Sequence, residues 1–368
     1  MKSLPIWLLC LLLLVVSCKT QPTPEQQLLT DTTRHVILPA LQRFSDSTQA
    51  LVTSSEQFCE QQGQKTAQDL AQLQDNWRKS MNAWQAAKII PFGPISIDNQ
   101  SWKIQFWPDK HNLVRRKLQA LLDGEDALDV ERIAKASVLT QGLTALEYLL
   151  FDEQGGHPDQ YQSTPKGQRQ CQLLIAVSQH THKVAAGLNE AWQPEQGNYA
   201  AILTKPGEQN PTFTDSNSAI AALVDALVAT TEAAKGGQLA QPLGYKSKGD
   251  RPRPYMSEAW RSRYSTQAVA ANLQAAKLLY SGGTGYGMDD YLRSRNQKVL
   301  AEKINAQFDT VLTTVSQAPA IFDAVTDKQQ RQVIEQIYQD LKILVGTLKN
   351  ELPPAMGVQL GFNSNDGD

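Results

Sequence analysis

The sequence predicts an all-α protein built as two side-by-side helical bundles. Three observations carry this. Long stretches of Ala, Leu, Gln, Lys and Glu run without Gly or Pro, as stable helices require. Alternating β-branched runs, the mark of strands, are almost absent. Turn formers gather at Pro194, Gly197, Pro206 and Pro211, with about four long helical segments on either side, as two joined bundles would have.

The chain opens on Met1-Lys2-Ser3, then the apolar run "LPIWLLCLLLLVVSC", then polar residues from Lys19. A cationic start, a short apolar core and a small residue before the break make a secretory signal. The run is too short for a good membrane-spanning helix. Ser17-Cys18 resembles a bacterial lipobox, which implies cleavage after residue 17 and acylation of Cys18. Several acyl chains anchor stably, at about 0.8 kcal/mol per buried CH₂. Lys19 after the cysteine resembles the outer-membrane sorting pattern of enteric-type lipoproteins. The expected partner at this end is therefore a membrane, reached by lipid from the periplasmic side of the envelope.

Residues 18–24 read as a polar tether. Helices are expected at about 25–60, 65–88, 110–122, 127–151, 166–192, 215–236, 256–281, 296–316 and 327–351. In 65–88, Trp77, Met81 and Trp84 share one face, as core residues do. The segment 215–236 starts at Asp215 or Ser216 and is expected to end at Gly236-Gly237. In 327–351, Val333, Ile337, Leu341, Leu344 and Leu348 form one apolar stripe. Asp327 precedes the stripe as a possible N-cap, and Pro353-Pro354 ends it. Irregular stretches fall at 89–109, rich in aromatics, at 193–214 and at 237–255. The middle one divides the chain into expected bundles of residues 25–195 and 196–368.

Losing residues 1–17 removes Lys2, so 35 basic groups become 34 against 37 acidic ones, a net charge of about −3. No basic patch interleaved with aromatics occurs, which argues against a nucleic-acid partner. Cys59 and Cys171 remain after processing. They are either a disulfide formed in an oxidising compartment or two isolated small apolar residues.

In 136–153, "ASVLTQGLTALEYLLFDE", Leu139, Leu143, Leu146 and Leu150 make a core stripe. Glu147 lies one step round from it, with Thr144 three residues earlier on the same face. Gly142 is expected mid-helix, where it costs about 1 kcal/mol relative to Ala, so another backbone is expected to approach it closely. Glu147 by itself reads as a boundary carboxylate paired with a Lys or Arg.

"GLTALEYLLF" resembles the GxHxxE motif of imelysin-like proteins, a group that includes periplasmic iron-uptake lipoproteins and proteins assigned as metallopeptidases. Gly142 and Glu147 match, and Thr144 stands where the pattern has histidine. Phe92-Gly93-Pro94, the block "FWPDKHN" with Trp107, the block "SEAWRSRYS" with Trp260, Arg261 and Ser262, then Asn272, and the tail "LPPAMGVQLGFNSNDGD" resemble further family blocks in order. The resemblance implies two helical bundles and a cleft site that draws on these residues. It also implies a role in iron acquisition, through a metal, a metal complex or an envelope protein partner.

The threonine weakens the metal expectation. Iron and zinc favour imidazole, and a threonine hydroxyl is a poor ligand for them. Glu147 is left as the sole motif ligand for iron or zinc, where a catalytic zinc site keeps three protein ligands. Three readings follow: a binding lipoprotein of iron acquisition, a metallopeptidase of the imelysin type, and an interaction protein that has lost the metal. No catalytic residue is assigned. His180 and His182 fall on different helix faces, and His35, His111 and His157 read as surface or boundary residues, with His111 of interest beside "FWPD". The glycine run 282–287 reads as turns, since no strand precedes it. The tail, with Asn363, Asp366 and Asp368, reads as either a cation site or a solvated end.

Overall fold

The computed structural model describes residues 21–154 and 156–359. Among them the structure is all-α, with no strand. The signal segment, Cys18 and the acidic end of the tail lie outside the described residues.

A capping box at Thr23 starts the first helix, Pro24–Thr32. A π-turn, Thr33–Ile37, joins it to Leu38–Glu60. Pro39 stands two residues after that π-turn. Having no N–H, it cannot bond back to the preceding turn, and a widened turn is a common way to absorb the defect. The Leu38–Glu60 helix packs between Ala67–Ala87 and Pro165–Trp192. Trp77, Met81 and Trp84 are buried there, with Phe44 and Trp84 ring centroids 5.3 Å apart. Cys59 and Cys171 are disulfide-bonded, with Cα atoms 5.6 Å apart, and staple the central Leu38–Glu60 helix to Pro165–Trp192.

The later helices Ser216–Ala233, Ser265–Ser281, Lys298–Ser316 and Gln330–Asn350 form a second packed group. Its core stripe on the last helix runs Ile334, Ile337, Leu341, Leu344 and Leu348; Val333 is only half-buried. Asp327 Oδ1 accepts from the amides of Gln329 and Gln330, at 2.9 and 2.8 Å, and so starts the helix from just outside it. The two groups meet where Ser265–Ser281 lies against Ala67–Ala87. The first helix also leans on the second group. The Tyr291 hydroxyl donates to Glu25 at 2.9 Å, and the Tyr286 amide donates to Asp31 at 2.9 Å.

Three expected helices are corrected. The segment 127–151 breaks into Val130–Lys135, a short 3-10 turn at Val138–Thr140, and Gly142–Phe151. Gly142 is therefore an initiating residue and not a mid-helix one. Its φ is +71°, and a Cβ would overlap the carbonyls of Lys103 and Ile104. The close backbone approach is real, and only glycine permits it. The segment 215–236 does not stop at Gly236-Gly237. It continues as a second π-turn, Ala234–Ala240, and a short Gln241–Leu243 helix, ending at Gly244 with φ +88°. Pro242 follows this π-turn as Pro39 follows the first. The segment 256–281 is helical only from Ser265; residues 257–264 form an irregular turn with left-handed Ala259 and Arg263. Among the described residues five further short helices fall outside the expected ones: Gln100–Ile104, Tyr199–Thr204, Met288–Ser294, Ile321–Ala324 and Leu352–Met356.

Replacing Gly142 by Ala is expected to cost more than about 2 kcal/mol, since both φ and space forbid the methyl. The midpoint of urea unfolding measures it. Cys59→Ser opens a covalent loop spanning 112 residues. It is expected to lower stability by about 2–5 kcal/mol while leaving the far-UV circular dichroism helical; an unchanged midpoint under non-reducing conditions would contradict the staple.

Candidate functional site

Glu147 stands on the second turn of the Gly142–Phe151 helix and is 3% exposed. It is a core residue, not a boundary one. Its Oε1 faces the turn 257–264, where the Ser262 amide and hydroxyl both reach it at 2.9 Å. Burial pushes the carboxyl above its ordinary range, although the Arg261 charge and the Ser262 bonds pull the other way. Thr144 is also buried, but its hydroxyl donates to the Phe106 carbonyl at 3.1 Å. The hydroxyl in the histidine position thus serves the backbone of the aromatic loop.

Arg261 is held from several directions. Its Nε lies 3.0 Å from Asp152, and its Nη2 lies 2.6 Å from Asn112 and 3.9 Å from Asp109. The guanidinium also sits over the Trp260 ring, 4.3 Å from its centroid. Asp109 has a second task, accepting from the Leu113 and Val114 amides at 2.7 and 3.2 Å to start the next helix. Arg261 lines a cleft of about 700 Å³ together with His111, Arg115, Asp152 and an aromatic wall. Wholly buried Glu147 lies behind it. The wall is Tyr255, Trp260 and Phe322, whose centroids lie 4.9–5.7 Å apart. Arg263 lies over Phe322 at 3.7 Å, and Tyr255 is 62% exposed.

A second buried carboxylate, Glu258, anchors the other end of the same turn. It accepts from Gln85 and Gln105, each at 2.7 Å, from Lys88 at 3.1 Å, and from Gln238. Gln105 is itself oriented by the Trp84 indole N–H, at 2.7 Å from its Oε1. Burial pushes the Glu258 carboxyl up, but Lys88 and the glutamine donors outweigh it and hold it below its usual range. Sequence reasoning missed Glu258 and its glutamine shell. It missed Asp109, Asn112 and Asp152 as well. Glu258 lies inside "SEAWRSRYS", and Asp109 and Asn112 lie inside "FWPDKHN", so the blocks were the available signal. No spacing relates residues 85, 105, 238 and 258.

The expected site residues thus separate. Gly142, Thr144, Glu147, Arg261 and Ser262 converge, with Trp260 on the adjoining wall. Phe92, Gly93 and Pro94 serve a different neighbourhood. Phe92 packs with Trp192 and Phe213, centroids 6.4 and 6.0 Å away, and left-handed Gly93 lies under the Tyr199 ring. Trp107 packs against Gly237, on the far side of the aromatic loop. Asn272 is buried within Ser265–Ser281. His111 is exposed in the cleft. His180 is buried beside Gln141, which lies 3.0 Å from its Nε2, and burial lowers its pKa to about 4.

This corner does not fit a bare metal cation. Glu147 looks onto an amide N–H, a hydroxyl and a guanidinium, which are donors and a positive charge. Among the described residues, no three His, Cys, Asp or Glu side chains gather as a metal-binding group.

The two carboxylates are expected to respond oppositely to pH. Glu258 titrates lower in the fold than in the unfolded chain. Its contribution is therefore present above the unfolded pKa and lost as pH falls through the folded one. Glu147 titrates higher in the fold, so stability falls as pH rises from 4.5 towards its raised value. Glu258→Gln is expected to cost about 3–5 kcal/mol near neutrality, as breaking a buried ion pair does, and to flatten the acid limb. Glu147→Gln is expected to flatten the opposite slope. Thermal melts of the three proteins across the acid-to-neutral range check both signs.

Comparison with known proteins agrees with this architecture. The chain matches an imelysin-like protein from Psychrobacter arcticum 273-4 with a TM-score of 0.76 and 20% identity, over 92% of this chain and 97% of that one. It matches an iron-regulated protein A precursor from Parabacteroides distasonis ATCC 8503 with a TM-score of 0.70 and 16% identity, over 90% and 96%. At such identities these likenesses speak for the fold. No curated protein matches the chain in sequence. The family model for imelysin, peptidase family M75, matches residues 37–348, from the end of the first π-turn into the last turn of the Gln330–Asn350 helix. The chain belongs to the imelysin family.

Proposed function

We propose that this imelysin is an envelope lipoprotein associated with iron acquisition, and that it binds a protein partner at the cleft beside Glu147. The observation that carries the reading is the aromatic wall. Tyr255, Trp260 and Phe322 stand together at the surface with Arg261 and Arg263 against them. Trp, Tyr and Arg are the residues that dominate binding energy at protein interfaces. The corner behind the wall is already saturated by Ser262 and Arg261, so it supports recognition more than metal capture. A water-activating peptidase would need further metal ligands around Glu147.

Family membership and the iron-regulated structural neighbour support the iron association. The signal-like N-terminus and Ser17-Cys18 support envelope placement through a lipid anchor, with Lys19 favouring the outer membrane. Among the described residues no helix is long and apolar enough to cross a membrane. On this reading residues 25–195 and 196–368 are the two working units, and the cleft draws residues from both.

The test is co-purification from membranes of iron-limited cells. Trp260→Ala with Arg263→Glu is expected to reduce recovery of the partner at least about tenfold, equivalent to about 1.4 kcal/mol, with circular dichroism unchanged. Cys18→Ser is expected to shift the protein to the soluble envelope fraction. An unchanged set of bound proteins in the cleft variant, or growth under iron limitation that is indifferent to loss of the gene, would overturn the reading.

A further inference from the structure

A basic concavity lies away from that cleft. It is a groove of about 770 Å³ between the π-turn Ala234–Ala240 and the Gln330–Asn350 helix. Lys235, Lys246, Lys342 and Lys349 line it, with Glu232 3.2 Å from Lys349. A whole chain with formal charge −2 has no general excess of lysine. The concentration here is local.

We propose that this groove binds a small multivalent oxyanion, a polycarboxylate or polyphosphate, in a site separate from the Glu147 cleft. Lys235 on the π-turn and Lys342 on the facing helix offer ammonium groups that attract negative charge without the planar fork by which arginine selects one geometry. They suit a ligand with several anionic oxygens and freedom of pose. The flank is aromatic, with Tyr245 and Tyr338 centroids 5.0 Å apart, and gives the carbon skeleton of such a ligand an apolar surface.

The backbone is shaped to the same end. The wall carries Gly236 and Gly237 on the widened turn. A Cβ on Gly236 would stand 3.7 Å from Lys246 Nζ, and one on Gly237 would stand 3.2 Å from the Trp107 ring. Across the groove, a Cβ on Gly346 would meet nothing within 4 Å, so the helix leaves open space there although glycine weakens it. Trp107 also lines the groove, and its buried indole N–H has no acceptor among the described residues. A donor of that kind is what an anion would use. The same π-turn sends Gln238 inward to Glu258. An occupant would thus rest on a segment tied to the seam between the two helix groups.

Titration calorimetry on the full chain at low salt tests this, with citrate, ferric citrate and pyrophosphate as probes. Saturable binding of at least one is expected, weakening at high salt as ion-driven binding does. Citrate without pyrophosphate identifies an organic polycarboxylate as the source, a preference for ferric citrate identifies its iron chelate, and pyrophosphate alone identifies a phosphate. Lys342→Glu with Lys235→Glu is expected to weaken binding at least about tenfold, or about 1.4 kcal/mol. Gly346→Leu fills the groove without touching charge and is expected to do the same. Exposed Lys342 alone carries the test if the leucine variant does not fold. Absence of saturable binding by wild type with all three probes, or binding that survives the charge variant, would overturn the proposal. Either outcome leaves the partner reading of the cleft to its own experiment.

Discussion

Two buried carboxylates hold the turn 257–264, and the arrangement of the molecule follows from them. Glu147 reaches out of the first helix group to Ser262. Glu258 reaches back from the turn to Gln85, Lys88 and Gln105 of the first group, and to Gln238 of the second. Burying charge is costly unless hydrogen bonds and an opposite charge replace water. Here Lys88 and Arg261 supply the opposite charges, and amide and hydroxyl donors supply the bonds. The turn also holds Ala259 and Arg263 in left-handed conformations. Each costs on the order of 1–3 kcal/mol and persists only where the surroundings over-determine it. The carboxylates are those surroundings.

In this seam the polar groups of the motif helix are already committed. Thr144 gives its hydroxyl to Phe106, and Glu147 is committed to Ser262 and to the field of Arg261. A histidine in place of the threonine would change the donor set facing that carboxylate. With threonine, the chemistry of the corner is cohesion, and what it presents outward is the aromatic wall with Arg263 over it. The same turn that closes the core therefore shapes the cleft.

The two π-turns give a parallel lesson in backbone bookkeeping. Each stands two residues before a proline, Pro39 or Pro242, whose missing N–H breaks the regular ladder. The first lets a long helix continue past the defect. The second rotates Gly236 and Gly237 towards the lysine groove and Gln238 towards Glu258. A local covalent property of proline thus distributes side chains between a surface site and the interior.

Local physics was legible in the sequence. Periodicity located most long helices, and Trp77, Met81 and Trp84 read correctly as core because their spacing matches the helical repeat. Gly142 announced a close backbone approach, since glycine in an apolar helical run has few other reasons to be there. The blocks around Glu147 and Arg261 identified the family. Tertiary structure decided the rest. The disulfide depended on the spatial separation of Cys59 and Cys171, which no spacing along the chain sets. The helix break at Gly142 depended on the carbonyls of Lys103 and Ile104. Glu258 found Gln85, Gln105 and Gln238 across as many as 173 residues of chain, and the lysines of the groove came from two separate segments. Sequence fixes what each stretch prefers locally; which distant charges share a buried space is set only when the helices pack.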